Sequence, residues 1–493
     1  MSYIYLNPSY QLRQDGNRVI FYGVDNNDNQ SEDWFSFIHP LHAMMLTFFK
    51  GCNPREMEIN DFAQYFSLPF QEAEDIVCGY LNNHQKELHS NGNYYFFPKN
   101  VLLESDIAPQ LVTNKYTVAD FNIDGEPDLV SLRVHSPISI NLELTMKCYV
   151  DCCYCYADRS IQKNGQMSTE EIIRLIKHAK STGVLNFDIN GGEVLMHPGI
   201  YDIITTLHEC GYKPLISTKM PITREKLIKL KECGISKFQI SLDSANEDIL
   251  TRTIKAKPGY INAISKTLAT ASDLDINVDI NVVLTKDNCN ADVLIELFDF
   301  LRSFHCINTV RLNVCGFSIY KGATNYYAIR PSQKSVDEIE HLIQSDFSTK
   351  YTFEIRMAGY DKQCNYNSIQ GKTEAFNRRA LCTGNLRNIV ILPNGDVTIC
   401  EELYNNPNFI IGNVLHSSIN DIWNSEKALN LFYSPCGVKS KSVCLKCDNY
   451  TNCRSRVGVC WKSVIMAYGE TNWDYPDPRC PKAPQLYNEI YIK

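Results

Sequence analysis

From Ile138 onward the chain alternates between two hydrophobic patterns. Short apolar runs at Ile138–Thr145, Leu185–Asn190, Pro214–Thr218, Lys237–Leu242, Val278–Leu284 and Val310–Val314 predict strands. Between them, apolar residues at helical spacing predict helices at Gly199–Glu209, Thr223–Cys233, Asn262–Asp273 and Ala291–Phe304. Another helix opens at Ser168-Thr-Glu-Glu171, a capping box ahead of an apolar-periodic run. Six strand–helix repeats predict an α/β domain with a parallel sheet, open or curled into a partial (β/α)6 barrel. Sites in such folds lie at the carboxyl ends of the strands. Beyond about Arg356 the alternation stops, and cysteine, glycine and asparagine predict a loop-rich domain that needs staples to fold.

The first hundred residues read differently. Tyr3–Gln11 and Asn17–Val24 are strand-like and flank an Asp15-Gly16 turn. Helical segments follow at His39–Phe49, Ile59–Phe66 and Gln71–Asn83, then a hairpin at His89–Phe97. This order is that of a winged-helix-like α+β domain over residues 1–105, with 106–136 as a bridging segment.

Composition narrows the function. A chain of 493 residues suggests about three domains. A net charge of −8 without a long basic run argues against a nucleic-acid binder. Met1 to Gly23 lacks an apolar signal-peptide core, and no apolar stretch approaches the roughly 18 residues of a membrane span. The expectation is a cytoplasmic protein with no membrane partner. Twenty cysteines are then read as metal ligands in the main, not as a disulfide framework. Cys52, Cys78, Cys210, Cys233 and Cys306, in apolar or helix-like contexts, are read as small core residues.

Cys148-x3-Cys152-x2-Cys155 directly follows the first strand of the repeat. Three thiolates on a short loop can hold three irons of a four-iron cluster and leave the fourth open. A structural zinc would want four ligands. Cys153 is left out, because using it would destroy the spacing.

Here the sequence resembles the radical S-adenosylmethionine (SAM) superfamily, from Ile138 to about Ala358. The resemblance implies a barrel over 137–358 whose open iron binds the amino and carboxylate groups of SAM. It also implies one-electron cleavage of SAM to a 5′-deoxyadenosyl radical, with an external donor of the flavodoxin or ferredoxin type. Tyr154 stands where the family places an aromatic residue beside the adenine. Gly191-Gly192-Glu193 resembles the stretch that contacts the SAM amino group. Ser217, Thr218, Ser241 and Asp243 close the third and fourth strands, where members bind the ribose and methionine parts. Arg252 is a candidate partner for the SAM carboxylate. Hydroxyls and carboxylates at strand ends also serve as helix caps.

The C-terminal cysteines resemble the SPASM domain, assigned here to 359–493. Cys382-x12-Gly395-x4-Cys400 is followed by Cys444-x2-Cys447-x5-Cys453, then Cys460 and Cys480. The family spacing after Cys453 is three residues. Here six intervene, Val457 takes the expected position, and the role moves to Cys460. The resemblance implies one auxiliary cluster on Cys444, Cys447, Cys453 and Cys480. A second would use Cys382, Cys400 and Cys460, with an open iron or a ligand borrowed from Cys436 or Cys364. The total is three [4Fe-4S] clusters. The alternative is a pair of zinc sites.

The N-terminal order admits a DNA reader or a peptide binder. Residues 51–90 hold seven acidic residues against Arg55 and Lys86, which would repel phosphate. By element order and position the domain resembles the RiPP recognition element, which precedes many peptide-modifying radical SAM enzymes. The combined expectation is a maturase acting on a precursor peptide that carries a leader, forming thioether links. Carbon–carbon crosslinks, epimers, a sulfatase-type maturase and a non-enzymatic iron–sulfur redox sensor are the alternatives.

Overall fold

The computed structural model describes residues 2–23, 31–81, 84–90, 92–109, 114–158, 165–347, 350–358, 368–433, 441–456 and 458–487. The chain forms two compact units, Met1–His135 and Ser136–Lys493.

In the first unit, β1 (Tyr3–Leu6) pairs antiparallel with a strand at Leu102–Ser105. The single strand expected over Tyr3–Gln11 is in fact two. Pro8 cannot donate to a ladder, and the Asn7 side chain accepts from Ser9 N at 3.0 Å, so the chain turns there. The hairpin partners are β2 (Tyr10–Asp15) and β3 (Arg18–Gly23), reversed at Gly16 with φ +65°. A strand that the pattern did not reveal, β4 (Trp34–Ile38), joins β3. Three helices follow: α1 (Pro40–Leu46), α2 (Arg55–Phe66) and α3 (Phe70–Leu81). The hairpin β5 (Lys86–Ser90) and β6 (Asn93–Phe97) completes the order. Tyr10, Phe21, Phe49, Phe62 and Phe97 are among the residues that form one core.

Residues 114–135, expected as a bridge, are bonded into this unit. Asn114 Nδ2 donates to the carbonyls of Leu46 and Phe49, each at 2.9 Å. The buried Arg18 guanidinium bonds Asp15 and the carbonyls of Asp128, Ser131 and Arg133. A charge buried that deeply is tolerable only with its hydrogen bonds filled.

In the second unit β7 (Ser139–Glu143) pairs parallel with β8 (Asn186–Asn190). A second parallel ladder runs β9 (Ser217–Thr218), β10 (Lys237–Ser241), β11 (Asn277–Leu284), β12 (Ile307–Val314) and β13 (Glu354–Met357). Among the described residues no ladder joins β8 to β9, so the strands form two sheets and no closed barrel. The last strand, β13, extends the parallel set past the six expected. On its free side β7 pairs with β14 (Asn388–Ile391), and β15 (Asp396–Thr398) and β16 (Ile410–Asn413) follow antiparallel. The cysteine-rich C-terminal region thus continues the same sheet.

The inner and outer faces of these strands differ. On β11, Val278, Ile280, Val282 and Leu284 are buried, while Asp279, Asn281 and Val283 take the alternate positions. On β7 and β8, Ile140, Leu142, Phe187 and Ile189 are buried and polar residues, among them Asn141, Asp188 and Asn190, alternate with them. One face packs on helices; the other is polar. Among the cysteines expected in the core only Cys306 is buried. Cys52 is exposed, Cys78 is half-buried, and Cys210 and Cys233 are half-buried C-caps at helix ends. Among the described residues, no helix is long and apolar enough to cross a membrane.

Candidate functional site

The cysteine loop leaves β7 and is clipped at its backbone to a helix end. Asp151 N donates to Ile254 O at 2.9 Å and Cys153 N to Thr253 O at 2.8 Å. These carbonyls end the helix Glu247–Ile254 and have no partner within it. Lys321 Nζ and Asn325 Nδ2 reach the carbonyls of Cys152 and Cys153 at 3.0 and 3.1 Å. The loop sets Cys148, Cys152 and Cys155 on the wall of a cavity of about 400 Å³; Cys153 is not on that wall. Burial pushes the Cys152 thiol up to about 12, and Lys219 opposes that shift. A thiolate there needs positive charge at the sulfur, which iron supplies. Three thiols on one cavity wall are a donor set that fits a cluster held by three protein ligands.

Gly191 and Gly192 permit a close approach to the chain's own backbone. Gly192 N donates to Thr145 O at 2.6 Å and Glu193 N to Lys147 O at 2.7 Å. A Cβ on Gly192 would lie 2.1 Å from Lys147 O, and one on Gly191, at φ +119°, 2.7 Å from Thr145 O. The glycine pair therefore holds the end of β8 against the cysteine loop, and both glycines line the cavity. The buried Glu193 carboxylate accepts from Thr218 Oγ1 at 2.8 Å, Lys219 N at 3.1 Å and Leu195 N at 3.3 Å. Burial raises its pKa, and those donors counter the rise. Its side chain ties the end of β8 to the end of β9, where no strand ladder does.

Ser217, Thr218 and Ser241 also line the cavity. Asp243 is 1% exposed and lies behind the wall. It accepts from the Tyr154 hydroxyl and from Val283 N at 2.9 Å, and pairs with Lys219 Nζ at 3.5 Å. Burial and the Asp243 charge hold the Tyr154 hydroxyl in its neutral form. The Lys219 ammonium stands 5.4 Å from the Tyr154 ring centroid. Arg252 is elsewhere: its side chain is 57% exposed and pairs with Asp287 at 3.5 Å. The cations on the cavity wall are Lys219, one residue past the hydroxyl pair picked out from sequence, and Lys462.

Other wall residues went unread. Asn281, Asn313 and Cys315 come from β11 and the end of β12, while Glu402 and Lys462 come from the cysteine-rich region. Lys462 Nζ donates to Glu402 Oε1 at 2.6 Å. Next to it, Glu401 accepts from Asn141 and Asn190 at 3.4 and 3.3 Å. Alternation within β11 and β12 was the available signal for the asparagines. For Glu402 and Lys462 no local signal existed.

The C-terminal cysteines fall in two neighbourhoods. Cys382 lies near Cys460 and Cys400, and burial pushes its thiol up to about 11. Cys480 lies near Cys444, Cys453 and Cys447. Among the described residues, no group of three or more His, Cys, Asp or Glu side chains is drawn together as for a single metal ion. Cys364 and Cys436 lie outside the described residues.

Residues 142–298 match the radical SAM superfamily model, and residues 382–453 match the SPASM iron–sulfur cluster-binding domain. A PqqA peptide cyclase of Bradyrhizobium diazoefficiens is 27% identical over 42% of this chain and 54% of its own length. A probable GTP 3′,8-cyclase of Methanothermobacter thermautotrophicus is 26% identical over 34% of this chain and 54% of its own length. The chain thus spans about half the length of these relatives. The structure of Streptococcus suis SuiB bound to S-adenosylmethionine superposes with a TM-score of 0.61 at 16% identity, over 96% of this chain and 98% of SuiB. SuiB bound to its precursor peptide SuiA gives 0.60 at 16% identity, over 97% and 99%. The fold is the one SuiB has.

Proposed function

In a chain built from a radical SAM domain and an iron–sulfur cluster-binding SPASM domain, we propose a maturase that modifies a ribosomally made precursor peptide. The observation that carries this reading is the cavity at the strand ends, where three motif thiols share a wall with Tyr154, the glycine pair and Lys219. With SAM bound, a reduced four-iron cluster supplies a 5′-deoxyadenosyl radical that removes a hydrogen atom from the substrate.

The chain's residues bind and orient. Cys148, Cys152 and Cys155 would hold that cluster. Tyr154, fixed by Asp243, offers a flat wall for the adenine. The hydroxyls of Ser217 and Ser241 suit the ribose, and Lys219 suits the SAM carboxylate. Glu193 braces the wall. In the C-terminal region one auxiliary cluster would take Cys382, Cys400 and Cys460, and another Cys444, Cys447, Cys453 and Cys480, which brings the total to three. A flavodoxin- or ferredoxin-type donor would supply the electron.

The peptide substrate is supported by the peptide cyclases among the relatives and by a fold likeness to SuiB that runs nearly the whole chain. In the first unit, Tyr94 and Phe96 are exposed on β6 while Tyr95 and Phe97 are buried. A hairpin with an aromatic outer face suits strand addition by a leader peptide. Of the possible products we favour the thioether, Cys sulfur to carbon.

The test uses anaerobically reconstituted full-length protein, SAM, a reductant and a candidate cysteine-bearing precursor peptide sought among the reading frames beside its gene, with and without its leader. The expected result is deoxyadenosine together with a loss of two hydrogens per link, retained sulfur and blocked cysteine alkylation. The leaderless peptide should react at least about tenfold more slowly, because its core loses effective concentration. Deoxyadenosine without any peptide change would overturn the reading. A two-hydrogen loss with cysteines still free would move the product to a carbon–carbon link.

A further inference from the structure

The polar face of the second sheet continues beyond the cavity. On β12, Val310 and Leu312 are fully buried, so Thr309, Arg311 and Asn313 take the opposite face. That face borders the cavity, since Asn281 and Asn313 line it. In register, Asn281 is paired with Arg311, and Arg311 with Arg356 on β13. Two guanidiniums on directly opposed positions repel. The neighbouring acids on this face already have partners: Asp279 pairs with Lys237 at 2.7 Å, and Glu354 with Arg356. Arg311 is exposed, and its side chain has no hydrogen bond or ion pair with any described residue.

We propose that Arg311, with Arg356 beside it, receives a carboxylate of the substrate peptide, an Asp or Glu close to the residue that reacts. The guanidinium fork of Arg311 matches a carboxylate, and Arg356, itself paired with Glu354, stands in register beside it. One strand spacing, about 4.8 Å, separates Arg311 from the cavity-lining Asn281. An extended peptide rises about 3.3 Å per residue, so the acid would sit roughly two or three residues from the reacting position. This rests on the peptide reading given above and adds a charge requirement to it.

The test immobilises the reconstituted full-length chain on a biosensor and titrates glycine–serine peptides carrying one central Glu, Gln or Lys at millimolar concentration. The Glu peptide should bind about tenfold more tightly than the Gln peptide. Arg311→Gln should bring the two within about twofold, and Arg311→Glu should shift the preference to Lys. Equal binding of Glu and Gln peptides by the unaltered chain overturns the proposal. So does a Glu preference that survives both substitutions. The binding readout needs no turnover, so a chain that modified no peptide would lose the maturase reading and keep the carboxylate site. A modified peptide whose KM ignored both Arg311→Gln and its own Glu→Gln change would keep the reading and lose the site.

Discussion

The two cysteine-bearing segments of the second unit are held by different means. The loop from Leu144 to Ala157 has its own packing: Leu144, Val150, Cys152 and Ala157 are buried, and its amides and carbonyls are bonded to Thr253, Ile254, Lys321 and Asn325. Residues 441–453 contain no buried apolar side chain; Val443 and Leu445 are exposed, and Ser442 alone is buried. The first segment is shaped by the fold before any ligand arrives. The second lacks a core, so ligation of Cys444, Cys447, Cys453 and Cys480 would supply its ordering energy. On the proposed ligation, the first segment would receive a cluster ready-formed and the second would be ordered by binding one.

That contrast is broken most directly by removing iron. In chelator-stripped protein, cleavage within 441–456 by a nonspecific protease should accelerate at least about 100-fold, whereas the loop at 144–158 should stay protected. Peptide mapping of the first cuts checks this. Equal acceleration at both segments would erase the distinction. The next largest effect separates two motif glycines. Gly192→Ala would press a Cβ against the Lys147 carbonyl at 2.1 Å, a backbone contact that cannot yield cheaply. At Gly395, φ +84°, the nearest atoms are side-chain atoms at 3.0 Å. We expect about 3 kcal/mol and a strong loss of SAM affinity for the first, and about 1–2 kcal/mol for the second. Thermal unfolding and SAM titration of both variants distinguish them. The smallest effect concerns Lys255, whose ion pair with Asp151 at 2.6 Å joins side chains 70% and 45% exposed. Lys255→Ala should change the melting temperature by less than about 2 °C, because the loop is held through its backbone. A larger shift would mean that surface charge holds it.

Much of this organisation was legible because it is local. The strand–helix period from Ile138 located the parallel strands, and the spacing of Cys148, Cys152 and Cys155 marked a loop that the fold places on a cavity. What was not legible depends on distant partners. Gly192 read as room for a ligand, yet its nearest neighbour is the Lys147 carbonyl, set by a strand that is far away in sequence. Arg252 and Lys219 look equally suitable as lone cations; only the fold puts Lys219 beside Tyr154 and Arg252 in solvent. Glu402 and Lys462 reach the wall because β14 adds to the free edge of β7, a pairing that no periodicity announces. In the first unit, Trp34–Ile38 was missed and Tyr3–Gln11 was joined across Pro8, since short strands leave little pattern to weigh against one proline.

The central claim is that the loop at Cys148, Cys152 and Cys155 makes the cavity a radical-generating SAM site. The most direct measurement is deoxyadenosine formation by the triple variant Cys148→Ala, Cys152→Ala and Cys155→Ala, reconstituted anaerobically and given SAM and a strong reductant. The account predicts about four fewer irons per chain, an unchanged far-ultraviolet dichroism spectrum and no deoxyadenosine. Deoxyadenosine formed at the rate of the unaltered chain would contradict it.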